Sequence, residues 1–308
     1  MSHYKIVVLL ICISSCVVAQ CPGQWQIQNI GQKSKDYTDV LALDSAKAFA
    51  VVKPNGLVKT TNGGKTWQNK AGKLSGVFNA IEFKGPDTGW ITGNKGMIRK
   101  TVDGADSFSQ QQLDTAIDFH AVHFVNSRTG WVAGDSGRLY HTSNGGKTWQ
   151  KQSSNTKNRL NTIRFITTGT GWIAGANGTI LKTLDGGQNW QAVNSGTGKT
   201  IRAISFSSKD TGWAAGQDGL ILHTTDGGQT WQSQSTPANA ALYDMDMLNG
   251  SKAWAAGGKG ILLKTTDGGR NWQRVKSRYA TRYNAVDFTR GGTGWVAGHD
   301  GILAHSVN

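Results

Sequence analysis

A chain of 308 residues with 33 Lys and Arg against 19 acidic residues carries a net charge of +14, and its length holds one large all-β domain or two ordinary ones. Glu82 is the only glutamate, and beyond the first twenty residues no stretch is apolar enough to cross a bilayer, which excludes a membrane-spanning helix from the body of the chain. The positive balance favours acidic partners, an acidic protein segment or an anionic glycan among them, although charge alone speaks to association and not to a defined site.

At the N-terminus, Lys5 precedes an almost uncharged apolar run over residues 6–18, and Val17-Val18-Ala19 puts short side chains at a cleavage position. This is the pattern of an export signal removed after Ala19. The expected division is a signal peptide over 1–19 and a single domain over 20–308, extracellular or, in a bacterium, periplasmic. Cys12 and Cys16 leave with the signal, and Cys21 alone cannot form an internal disulfide. Asn177-Gly178-Thr179 and Asn249-Gly250-Ser251 match the acceptor pattern for N-glycosylation in a eukaryotic source.

From there the chain repeats. A Thr-x-Asp/Asn-Gly-Gly-like box has its third position at Asn62, Asp103, Asn144, Asp185, Asp226 and Asp267, each 41 residues after the last. The aromatic closing each box keeps step at Trp67, Phe108, Trp149, Trp190, Trp231 and Trp272. A second motif close to Thr-Gly-Trp-x-Ala-Gly places Trp90, Trp131, Trp172, Trp213, Trp254 and Trp295 at the same spacing, with Phe49 in the first repeat. Within one repeat, Phe119 to Phe124 reads as a first strand and Gly130 to Gly134 as a second. Asp135-Ser136-Gly137 is a tight turn, Arg138 to Thr142 a third strand, and the box turns the chain into a fourth strand holding Trp149. Four strands per roughly 40 residues is the arithmetic of a β-propeller.

The seventh repeat, from Tyr283, ends on a truncated box, Ser306 and Asn308, and lacks its fourth strand. Gln24-Trp25-Gln26 resembles the other fourth strands, such as Thr148-Trp149-Gln150. The expected fold is therefore an all-β, seven-bladed propeller of four-stranded antiparallel blades, its last blade closed by the N-terminal strand so that no seam is left open.

The box Thr-x-Asp-Gly-Gly-x-x-Trp resembles the Asp-box, or BNR repeat, of sialidases, sortilin-type receptors and some glycoside hydrolases. Paired with Thr-Gly-Trp-x-Ala-Gly, it looks most like the photosystem II stability/assembly factor-like propellers, over essentially the whole chain from Gln24 to Asn308. That resemblance implies a scaffold that binds a client protein through basic surface, and it implies no catalytic set. Sialidases of this repeat family use three arginines, a Tyr–Glu pair and an acid Asp, and the Arg-Ile-Pro motif expected before the first box is missing here.

The recurrent residues read as structure. An Asp or Asn in a box accepts hydrogen bonds from backbone amides of its own turn, and glycines supply the unusual dihedrals. Asn62 and Asn144 replace Asp without breaking the pattern. Tryptophans at fixed repeat positions read as packing between and within blades. The histidines show no metal-ligand spacing and no Gly-x-Gly-x-x-Gly precedes a helix, so no metal, cofactor or nucleic-acid partner is expected.

A site is sought where repeats depart from their own template. Two columns on the predicted innermost strands do so: Glu82, His123, Arg164, Ser205, Asp246 and Asp287, and Asn79, His120, Asn161, Arg202, Tyr243 and Asn284. Strand alternation sends one column to the channel and the other to the packing layer; Ala121, Ala203 and Ala285 share the parity of the first, so the second is assigned to the channel mouth. The loops entering the innermost strands are basic, with Lys70, Lys73, Lys151, Lys157, Arg159, Lys199, Arg274, Lys276, Arg278 and Arg282. The expected ligand-binding set is Lys157, Arg159, Lys199, Arg202, Tyr243, Arg278, Arg282 and His120, a cationic face for an acidic protein or anionic glycan. The expected function is non-catalytic binding. A glycoside hydrolase gains ground if Glu82, Asp246 and Asp287 open into one pocket beside Arg164, since glycosidases flank a bond with two carboxylates. An extracellular matrix component is a third alternative.

Overall fold

The computed structural model describes residues 25–28, 35–54, 56–70, 74–111, 113, 116–276 and 279–306. The expected export signal, Cys21, Lys73, Arg278 and Asn308 lie outside the described residues. Seven four-stranded sheets, each antiparallel throughout, make up the structure. Their innermost strands are Asp36–Ala42, Phe78–Lys84, Phe119–Phe124, Leu160–Phe165, Ile201–Phe206, Leu242–Met247 and Tyr283–Phe288, here taken to open blades 1 to 7. The fold is the seven-bladed propeller that the 41-residue period predicts.

The second strand of each blade is buried along all or nearly all of its length, Gly130–Gly134 throughout, because neighbouring blades cover both of its faces. In blades 5 and 7 its Trp stacks on a histidine of the same blade, Trp213 on His223 and Trp295 on His305; in the other five its aromatic lies flat on one of the next blade's innermost strand, as Trp131 does on Phe165 at 3.5 Å between centroids and Trp172 on Phe206 at 3.6 Å. Three of these indoles also donate to a box carbonyl of the next blade, Trp90 Nε1 to Gly145 O and Trp131 Nε1 to Gly186 O at 3.2 Å and Trp172 Nε1 to Gly227 O at 3.0 Å. The tryptophan period is thus the period of the joint between blades. The box-closing tryptophans bracket the same stack edge-on, as Trp190 does Phe165. Trp149 itself sits just before the fourth strand, Gln150–Gln152, rather than inside it.

Each box is a self-contained cap. Thr224 Oγ1 donates to Asp226 Oδ1 at 2.8 Å and accepts from Gly228 N at 2.8 Å, while Asp226 Oδ1 accepts from Thr230 N at 3.0 Å. Asn144 Oδ1 takes the same two bonds, from Thr142 Oγ1 and Thr148 N, each at 3.0 Å, so the neutral amide is as good as the acid. Hydrogen bonds from the backbone and side chain of Asn189 hold Asp185 down at about 2. The turn between second and third strands is a single 3-10 turn in which Ser136 and Gly137 are both left-handed, at φ +55° and +68°. Gly137 is required twice, by that φ and because a Cβ would run into the Thr156 carbonyl.

The ring closes as the stray Trp25 segment predicts. Trp25–Ile27 pairs antiparallel with Leu303–Ser306, Trp25 opposite Ser306 and Ile27 opposite Ala304. Trp25 meets Phe288 edge-on at 6.0 Å. Trp25 is half-buried, so Trp25→Ala should cost about 2 kcal/mol, below the full price of emptying a core aromatic site. Denaturant unfolding will check this: a midpoint shared with wild type would mean that the last blade does not depend on this strand.

Candidate binding site at the channel mouth

The innermost strands carry a feature that repeat patterning does not reveal. In each, the register slips by one residue: Phe119 faces Gly134 but Ala121 already faces Ala133, leaving His120 as a β-bulge, and the other six blades do the same. A bulge breaks alternation. Both varying columns therefore reach the channel, and the assignment of the first to the packing layer is corrected. The bulged residues, including Asn79, His120, Asn161, Arg202, Tyr243 and Asn284, ring a mouth cavity of about 560 Å³. The column of Glu82, His123, Arg164, Ser205, Asp246 and Asp287 lines a deeper space of about 220 Å³.

Many of these side chains are occupied by backbone. An innermost strand offers unpaired amides and carbonyls to the channel, and the preceding blade answers them. Asn161 Nδ2 donates to Ile201 O at 2.7 Å and Asn284 Nδ2 to Tyr37 O at 2.7 Å. Lower down, Ile81 N donates to Asp39 Oδ2 at 2.8 Å, Val286 N to Asp244 Oδ2 at 2.8 Å, Phe288 N to Asp246 Oδ2 at 2.9 Å and Ala42 N to Asp287 Oδ2 at 2.6 Å. His123 Nε2 donates to Phe165 O at 3.0 Å.

Arg202 and Tyr243 do otherwise. The Arg282 guanidinium lies 3.7 Å from the centre of the Tyr243 ring and that of Arg202 lies 5.0 Å from it. Arg159 lines the same cavity. Among the described residues no carboxylate lies within ion-pair distance of these three guanidiniums, and Arg202 Nε is buried without a hydrogen-bond partner. Burial pulls Arg202 down from its ordinary value; the Tyr243 side chain opposes this, and the like charges of Arg159 and Arg282 add to it. Imidazole–carboxylate contacts flank the cluster, with His120 Nε2 at 2.8 Å from Asp135 and His299 Nδ1 at 3.7 Å from Asp36.

Of the expected set, Arg159, Arg202, Tyr243, Arg282 and His120 come together here. Lys157 is exposed and lines neither cavity, and Lys199 turns to Asp218 at 3.7 Å. Of the described basic-loop residues, Arg159 and Arg282 line the mouth. Lys70 pairs with Asp106 of the next blade's box at 2.6 Å, and Lys151 and Arg274 ride on outermost strands.

Two acids escaped the sequence comparison. Asp39 and Asp244 occupy a column that is alanine at 80, 121, 203 and 285 and Thr162 in blade 4, and both line the deeper cavity with Glu82, Asp246, Asp287 and Arg164. The carboxylates do therefore open into one space beside Arg164. Burial pushes Asp39, Asp246 and Asp287 up, and the charges of Asp244 and Asp246 raise Asp39 and Asp287 further. Burial also raises Asp244, to about 7. Glu82 goes the other way: burial raises it, but His123, Lys84 and Arg164 outweigh burial and hold it at about 2. Among the described residues no group of three or more His, Cys, Asp or Glu is arranged to hold a metal ion.

The family model described as Photosynthesis system II assembly factor YCF48 matches residues 18–115, 73–157, 149–236 and 233–307. The chain belongs to that family. Among solved structures, YCF48 bound to D1 peptide is similar over 94% of this chain and 97% of its own, with a TM-score of 0.78 and 22% identity. YCF48 from Cyanidioschyzon merolae is similar over 92% and 98%, at 0.75 and 19%. A streptogramin B lyase is similar over 92% and 97%, at 0.78 and 13%. No curated protein matches the sequence. At these identities the structures share a fold with this YCF48-family chain, and enzymes and non-enzymes stand together among them.

A pH dependence follows from Asp244. Its ordinary value of 3.8 is raised to about 7 in the fold, so the folded chain favours the neutral acid. The stability this confers is fully present below about pH 3.8 and is lost as pH rises towards 7. Asp244→Asn, fixed neutral, should therefore lose less stability than wild type across that window, the two curves diverging by at most about 1.4 kcal/mol per pH unit. Denaturant midpoints at a series of pH values test it; parallel curves would mean that Asp244 ionises as it does in the unfolded chain.

Proposed function

We propose that this YCF48-family propeller is an exported, non-catalytic binding scaffold that takes an acidic peptide segment at the channel mouth. The observation that carries the reading is the cluster of Arg159, Arg202 and Arg282 about Tyr243, three guanidiniums at the rim of an open cavity without a carboxylate in reach among the described residues. Guanidinium groups grip carboxylates in bidentate fashion, and stacking on Tyr243 holds two of them in place before a ligand arrives. The similar YCF48 structure holds a D1 peptide, which supports a peptide over a glycan. So does Tyr243, whose ring already carries guanidiniums and has little face left for a sugar. Export is supported by the apolar run over residues 6–18 and the short residues ending at Ala19. Among the described residues no helix is long and apolar enough to cross a membrane.

The convergence of Glu82, Asp246 and Asp287 beside Arg164 keeps a hydrolase as a second reading. It is the weaker one. Glycoside hydrolysis needs carboxyl groups free to face a bond, and Asp246 and Asp287 each hold a backbone amide of the next blade.

Arg202→Ala and Arg282→Ala should each weaken binding of an aspartate-rich peptide by about 1.5–3 kcal/mol, whereas Lys157→Ala and Lys199→Ala should change it by less than about 1 kcal/mol. Isothermal titration calorimetry at two salt concentrations would measure both. Equal losses from all four variants would replace the mouth with a diffuse basic surface.

A further inference from the structure

The two cavities are one passage. All seven residues of the bulged ring line both the mouth and the deeper space, so nothing but the ring itself separates the arginine cluster from the acids behind it. An anion held by Arg159, Arg202 and Arg282 therefore sits at the open end of a channel whose far walls carry carboxylates. In such a partly buried setting charges are weakly screened, and each ionised carboxylate opposes the anion. We propose that anion capture at the mouth is coupled to proton uptake by the channel behind it, with Asp244 as the group that takes the proton. This deepens the binding reading above and rests on it.

Geometry singles out Asp244. It follows Tyr243, the residue under the two guanidiniums, and its carboxylate bridges to Val286 N on the innermost strand that Arg282 leads into. The groups facing it from the other blades are mostly of like sign: Asp39 from blade 1, Asp287 from blade 7 and Asp246 on its own strand. Glu82 in blade 2 is compensated by Lys84 Nζ at 2.5 Å and faces His123 Nδ1 of blade 3 at 3.5 Å. Arg164 in blade 4 opposes them and, among the described residues, makes no ion pair. At the mouth the remaining titratable groups are Asp36, Asp118, His120, His299 and Lys53. Asp39 and Asp287 are raised well above the ordinary range, and Asp244 to about 7. Asp244 thus changes charge in the neutral range, and an arriving anion favours its acid form. By reciprocity, each proton bound strengthens anion binding by the factor with which the anion strengthens proton binding.

The test is calorimetric titration of the full chain with an N-acetylated tetra-aspartate peptide, ionised throughout, in triethanolamine and in Tris, two cationic buffers of different ionisation heat that do not compete for an anion site. Heats that differ between buffers count the protons taken up. Expected are uptake on the order of half a proton at pH 7 and roughly fivefold or greater weakening between pH 6 and 8.5. Asp244→Asn should abolish the uptake. So should Asp244→Ala, which installs the residue that blades 2, 3, 5 and 7 carry at this level and so covers the case in which the asparagine fails to fold. Uptake should persist in His120→Asn, His299→Asn and Lys53→Arg. Binding without proton uptake would overturn the inference and leave the binding reading standing. Uptake that survives both Asp244 variants, or that vanishes with a mouth variant instead, would also overturn it. No binding at any pH would overturn both.

Discussion

Every innermost strand of a propeller is an edge, and answering its unpaired amides and carbonyls governs what the channel of this chain can do. Interior edges cannot be left to bulk water without loss, since a buried unpaired backbone group costs about 1–3 kcal/mol. Here the answer comes from the preceding blade, by asparagine to carbonyl in the upper ring and by aspartate to amide below it. The channel's polarity is a consequence of that arrangement. Its aspartates are buried because they must reach the next strand, and burial together with their mutual repulsion raises them.

The same constraint separates residues that hold the ring from residues free to act. In the bulged ring, Thr38, Asn79, Asn161 and Asn284 each donate to a carbonyl of the next innermost strand. His120 turns to Asp135 instead, and Arg202 and Tyr243 stack with each other and with Arg282. These departures from the template are the positions where cationic and aromatic groups face the mouth. Blades are joined independently of this, by the indole stack and its bond to the box carbonyl, so the mouth can vary without loosening the ring.

The fold was legible because its determinants recur. The box and the Trp motif return every 41 residues, and Trp25 matches a strand missing at the other end of the chain; each is a side-chain signal tied to one geometric job. The site was legible in part. Arg159, Arg202, Tyr243, Arg282 and His120 could be named because they depart from the template. The register slip at His120 could not be read, since a bulge is a backbone event and no residue type marks it. It alone puts two columns on one surface, and alternation without it sends the acids to the packing layer. Asp39 and Asp244 were hidden for a related reason, being outnumbered by alanine in a column whose small residues pointed to packing. The basic loops misled because sequence proximity to an innermost strand does not say how far along the loop a side chain leaves the surface: Arg159 and Arg282 reach the mouth, and Lys157 does not.

Division of labour among the carboxylates bears on whether such a channel can catalyse. Acid–base chemistry wants two groups whose environments push them apart, one held ionised and the other held protonated, with oxygens free to approach substrate. Glu82, held low, and Asp287, held high, satisfy the first half of that requirement. The second half fails on geometry. Glu82 is spent on Lys84, and one oxygen of Asp287 is spent on Ala42 N, so moving either towards a substrate would uncover a buried charge or strip an amide from the seam between blades 7 and 1. The three arginines at the mouth carry no such duty. Chemistry in the interior would have to be taken from the parts that keep the ring closed, whereas binding at the rim uses side chains that the ring does not need.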